Sequence, residues 1–99
     1  MNKVKKIVYK KLGRKQAWGE AYAEDGIIYI DSRCKGIKEL EIIIHEASHI
    51  VQPYLAEEAI QEIGVELTRI LWETGFRKVD NDTSQPLQGE ATHTPKPGE

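Results

Sequence analysis

Two histidines four residues apart, with a glutamate directly after the first, make His45-Glu46-Ala47-Ser48-His49 the stretch of this 99-residue chain best suited to chemistry. On an α-helix, positions i and i+4 share a face, so both imidazoles can reach one metal ion. Glu46 follows roughly 100° round the helix, where a carboxylate can act on an activated water without itself ligating. These residue types at this spacing point to zinc-dependent hydrolysis. Only three residues are fixed, and their coincidence in so short a chain is expected about a few times per thousand. The plainer explanation, two helix histidines that cap or fill space, has no need of the glutamate between them.

A catalytic zinc normally takes three protein ligands and keeps one position open, so a third ligand is required. The short turn Gln52 to Leu55 returns the chain toward His49, and the helix that follows opens with Glu57 and Glu58, with Glu62 one turn on. At roughly 100° per residue, Glu57 falls about 60° from Ile60 on the side shared with Gly64, whereas Glu58 and Glu62 fall about 160° from it. Helical phase therefore selects Glu57. The ordinary reading of all three is a solvated acidic first turn favoured by the helix dipole. His93, in the polar C-terminal stretch, is a weaker candidate. For the donor to a tetrahedral oxyanion, Tyr54 is nearest in sequence, with Tyr22 and Tyr29 as further candidates.

The elements that must position these groups are legible. The motif helix is expected from about Lys38 to Val51, with Leu40, Ile43, Ile44, Ala47 and Val51 as a buried stripe and Pro53 as its stop. A second helix is expected from about Ala56 to Gly75, with Ile60, Ile63, Gly64, Leu67, Ile70 and Leu71 as its apolar stripe and Gly64 allowing close helix contact. Val4 to Tyr9 reads as a first strand. Gln16 to Glu24 and Ile27 to Asp31 flank Asp25-Gly26, the signature of a two-residue type I′ hairpin. That register pairs Tyr22 with Tyr29 and Ala21 with Ile30. One hairpin face then carries Ala17, Ala21, Ala23, Ile28 and Ile30 for a helix to pack on, and the other carries Trp18, Tyr22 and Tyr29. The fold class is α+β, an antiparallel hairpin or sheet packed on the motif helix and a second, C-terminal helix.

With the motif histidines, the intervening glutamate and the acidic pair opening the next helix, the chain resembles a gluzincin, the zinc-peptidase group whose third ligand is glutamate. The order of hairpin, motif helix, proline turn and helix to Leu71-Trp72-Glu73-Thr74-Gly75 is similar to that of short metallopeptidases encoded by phages and bacteria. The resemblance covers residues 16 to 77 and implies a small zincin-like domain. It implies His45 and His49 as zinc ligands, Glu46 as general base, and a glutamate of the second helix as third ligand. Larger gluzincins often place an acid four residues after that glutamate. Here Gln61 follows Glu57 at that distance, and Glu62 follows Glu58, so the resemblance favours Glu58 where helical phase favours Glu57.

Composition bounds the rest. Residues 1–79 form one domain, and residues 80–99 are polar, Pro- and Gly-rich and expected to be disordered, since they cannot bury enough surface to offset their ordering entropy. A folded part of roughly eighty residues is near the size where bound metal adds materially to stability. A single cysteine, Cys34, excludes an intrachain disulfide and fits a reduced cytoplasm. No apolar run approaches a signal-peptide core or a membrane span. Lys3, Lys5, Lys6, Lys10, Lys11, Arg14 and Lys15 all precede the first acid. Such a segment either contacts phosphate backbones or protects an edge strand. The leading expectation is a zinc metallopeptidase acting on peptide or protein. The alternative is a non-catalytic, zinc-stabilised binding or regulatory protein, contacting nucleic acid through the basic N-terminus, and a third reading joins the two as a peptidase directed to DNA-associated substrates.

Overall fold

The computed structural model describes residues 2–13 and 18–79. Three strands, β1 (Lys6–Lys10), β2 (Gly19–Tyr22) and β3 (Ile27–Asp31), are followed by two helices, α1 (Gly36–Val51) and α2 (Glu57–Glu73). The fold is α+β, as its residue patterns imply. The β-branched β3 takes the middle of a mixed sheet of order β1-β3-β2, parallel to β1 and antiparallel to β2. Helix α1 packs on β2 and β3 and carries α2 on its far side. Ala17 and the polar stretch from Asp80 onward, including His93, lie outside the described residues.

The hairpin differs from the expected one by two residues of register. Ala21 pairs with Ile28 and Tyr22 with Ile27, so the loop is Ala23-Glu24-Asp25-Gly26. A type I′ turn needs positive φ at both central residues. Gly26 has φ +68°, but no non-glycine residue among those described has positive φ, Asp25 included. The Tyr22 carbonyl instead accepts from the Asp25 and Gly26 amides at 3.2 and 2.8 Å. Ala23 packs inward on the core, and a Cβ at Gly26 would stand 2.6 Å from the Lys3 carbonyl. Contact with the N-terminal segment thus sets the longer loop. A two-residue shift keeps every side chain on its face, and Tyr22 and Tyr29 still touch diagonally, rings edge to face at 5.5 Å.

The core is Ile28, Ile30, Cys34, Ile42 and Ile50, with Ile7, Tyr9, Ala21, Ala23, Ile43 and Ala47 packed around it. The buried stripe of α1 is Glu39, Ile42 and Ile50, turned roughly 100° from the expected one. The turn has a cause: α1 is a middle layer between the sheet and α2, and Leu40, Ile43 and Ala47 are only partly buried. In α2 the buried positions are Ile60, Gly64 and Thr68. Ile63, Leu67 and Ile70, expected inside, are 40–42% exposed, because α2 is an outer layer with only one arc covered. Gly64 is buried, yet a Cβ there would meet nothing within 4 Å, so close helix approach does not require it.

Candidate metal centre

The last two turns of α1 and the first residue of α2 are brought together by the connection between them. Pro53 ends α1; the Gln52 amide closes its last turn on the Ser48 carbonyl, and the Leu55 amide bonds back to Gln52. Chain reversal within Gln52 to Ala56 then stands Glu57 against the His45-His49 face. The two Nε2 atoms lie 3.2 Å apart. One carboxylate oxygen of Glu57 is 3.2 Å from His45 Nε2 and the other is 3.0 Å from His49 Nε2.

Three donors at these spacings suit a small tetrahedral ion. Arms of 2.0–2.1 Å to zinc imply donor-to-donor edges of about 3.3–3.4 Å; the two Nε2 atoms stand 3.2 Å apart, and each faces a different oxygen of Glu57. Two imidazoles and a carboxylate are also a donor set that zinc takes with one position left for water. The side chains stay 21%, 32% and 62% exposed in the order His45, His49, Glu57, so the cluster is open to solvent. Among the described residues these three form the only such group of potential ligands. Glu58 and Glu62 are exposed and outside it.

Glu46 faces the sheet instead, on the stripe of Glu39 and Ile42, against Gly19 of β2. A Cβ at Gly19 would fall 2.5 Å from Ile42 Cγ2, 3.1 Å from Glu46 Cγ and 3.4 Å from its Oε2. Glycine alone lets the strand lie this close to α1, because the Ile42 methyl leaves no room for a Cβ. Burial pushes the Glu46 carboxyl above the usual carboxylate range, opposed by the charges of His45 and His49 and aided by Glu57 and Glu20. A lone glycine in a strand pattern signals such close approach, and Gly19 is the neighbour of the site that sequence reasoning passed over.

Comparison with known protein families, with curated proteins and with solved structures finds no match. Any assignment therefore rests on the geometry. Tyr54, the nearest candidate oxyanion donor in sequence, is 97% exposed on the turn. Tyr22 and Tyr29 sit on the sheet face turned away from α1, which removes them as donors beside Glu46. No helix among the described residues is long and apolar enough to cross a membrane.

A second polar cluster lies at the opposite end of the helix pair. Glu39 is buried and accepts from the Tyr9 hydroxyl and from Lys78 Nζ at 2.7 Å. Lys78 also lies 4.4 Å over the Tyr9 ring. Burial first, then the bond to Glu39 and its charge, hold the Tyr9 phenol well above its ordinary value. Tyr9 thus points into the fold and is not part of the lysine-rich surface.

Proposed function

We propose that the chain is a zinc-dependent peptidase in which His45, His49 and Glu57 hold the ion and Glu46 is the general base. The observation that carries this reading is the clustering of His45, His49 and Glu57 within hydrogen-bond distance of one another, with a fourth, half-buried carboxylate near them. When bound, zinc supplies a Lewis acid that polarises a carbonyl and makes a water acidic enough to attack near neutral pH. Glu46 takes the proton of the attacking water on a carboxylate oxygen and returns it to the leaving nitrogen. Burial that raises its proton affinity suits it to both transfers.

The free edge of β2 is the place for substrate. Among the described residues β2 pairs only with β3, so its other edge offers backbone groups to an extended peptide by strand addition. A peptide there would run past Gly19, where no side chain separates the strand from Glu46.

Glu46→Gln tests the assignment. The variant is expected to keep about one equivalent of zinc and an unchanged thermal midpoint while losing cleavage of unfolded protein or peptide. Wild-type protein that binds zinc yet cleaves nothing in a broad peptide library would instead favour a metal-stabilised binding protein. Wild-type protein that binds no zinc would end both readings.

A further inference from the structure

Both helices lie on one side of the sheet, and among the described residues no element packs on the other. Strand alternation and the observed register place three rows of side chains on that outer face. Lys6, Ile27 and Tyr22 form the first, Val8, Tyr29 and Glu20 the second, and Lys10, Asp31 and Trp18 the third. The lysine-rich segment and the aromatic residues, far apart in sequence, are thus side by side. Lys10 Nζ sits 4.2 Å above the Tyr29 ring and Arg33 5.1 Å from the Trp18 ring. Trp18 and Tyr22 are nearly half exposed.

We propose that this outer sheet face binds single-stranded nucleic acid, with bases stacking on Trp18 and on Tyr29 as Lys10 swings from the Tyr29 ring to a phosphate, and with Lys6 holding a second phosphate. Aromatic rings on a sheet beside flexible cations are the elements of sequence-tolerant single-strand binding, and a small sheet of this kind stacks two or three bases. The face's own charges select the path. Asp31 is neutralised by a two-pronged pair with Arg33, both contacts at 2.8 Å. Glu20, bonded by the Tyr22 hydroxyl at 3.3 Å, and the turn acids Glu24 and Asp25 make the β2 hairpin end unfavourable to phosphate. The strand therefore tracks the β1 side and crosses to Trp18. A duplex, whose base faces are covered, has no use for the rings. Because Glu46 and the metal donors are on the opposite side of the sheet, both surfaces can be occupied at once, and this inference stands independently of the peptidase reading.

Fluorescence anisotropy of labelled dT12 with the full chain is the test, alongside an abasic strand of equal length, duplex DNA and polyglutamate. Expected is binding of dT12 that exceeds all three controls at least fivefold. Tyr29→Ala should weaken it about fivefold or more. Trp18→Ala, at a nearly half-exposed position, should do the same with an unchanged thermal midpoint, so the result does not depend on the Tyr29 variant folding. Lys6→Gln and Lys10→Gln should each flatten the slope of log affinity against log salt by about 0.7. Equal binding of the abasic strand or polyglutamate, absence of binding, or indifference to Trp18→Ala would overturn the proposal.

Discussion

Glu57 directs its two carboxylate oxygens at two different histidine nitrogens, while Glu58, one residue on, is carried roughly 100° away round α2. Glu57→Gln is therefore expected to weaken zinc binding at least about tenfold and Glu58→Gln to change it less than twofold, read by competition with a chromogenic chelator. The reverse order would move the third ligand to Glu58. Helical phase picks out the glutamate that stands against the histidines because that depends only on which side of α2 holds Ile60 and Gly64. Spacing along the chain, which favours Glu58, counts residues and not angles around the helix, and zinc affinity decides between the two. Asp31 gives a second residue-scale test. Its carboxylate accepts from the Arg33 side chain and from the Arg33 and Leu12 amides. The Arg33 hydrogen bond foremost holds it well below its ordinary 3.8, against burial. A pKa lower in the folded than in the unfolded chain stabilises the fold above the unfolded value, and that stability is lost as pH falls toward the folded one. The wild type should thus melt higher than Asp31→Asn at pH 6, the gap narrowing between pH 4 and pH 2. A gap independent of pH would assign Asp31 a purely steric role.

At the scale of elements, the sequence patterns locate both helices to within two residues at each end, but not which way they turn. In α1 the isoleucine run Ile42-Ile43-Ile44 supports more than one stripe, and burial on both sides of a middle layer removes the contrast that periodicity needs. Buried Glu39 is the extreme case: its partners Tyr9 and Lys78 are 30 and 39 residues away, so no local pattern could announce it. The hairpin loop failed for a related reason, because Asp25-Gly26 states a local turn preference that the N-terminal segment overrides at Gly26. In α2 the small residue at position 64 looked like a packing device, yet open space stands where its Cβ would be. Gly64→Ala should then stabilise the protein by about 1 kcal/mol through helix propensity alone, raising the urea midpoint with no change in slope. A lower midpoint would show that α1 approaches more closely than the structure places it.

At the scale of the whole molecule the described residues are layered sheet, α1, α2, and the α2 layer is the least secured. Ile60 is the only apolar side chain of α2 that is fully buried, and Ile63, Leu67 and Ile70 remain in part exposed. What holds α2 is a clasp at each end. His45, His49 and Glu57 join its first residue to α1, and beyond its last turn Lys78 reaches Glu39, with Arg77 stacked on Trp72 at 3.5 Å. On α1 the two clasps are anchored six to ten residues apart, at Glu39 and at His45 and His49, roughly 9–15 Å of helix, and they share no partner, so their contributions should be additive. An ion that binds the folded chain at 100 times its dissociation constant adds about 2.7 kcal/mol. For a domain of this size that raises the melting temperature by roughly 10–20 °C. Zinc should produce that rise and EDTA reverse it, His49→Ala should abolish it, and Lys78→Gln should lower both zinc-bound and zinc-free midpoints by similar amounts. If zinc leaves the midpoint unmoved, the first clasp is not a metal clasp. If Lys78→Gln cancels the effect of zinc, the two ends are not independent and α2 docks as a single cooperative unit.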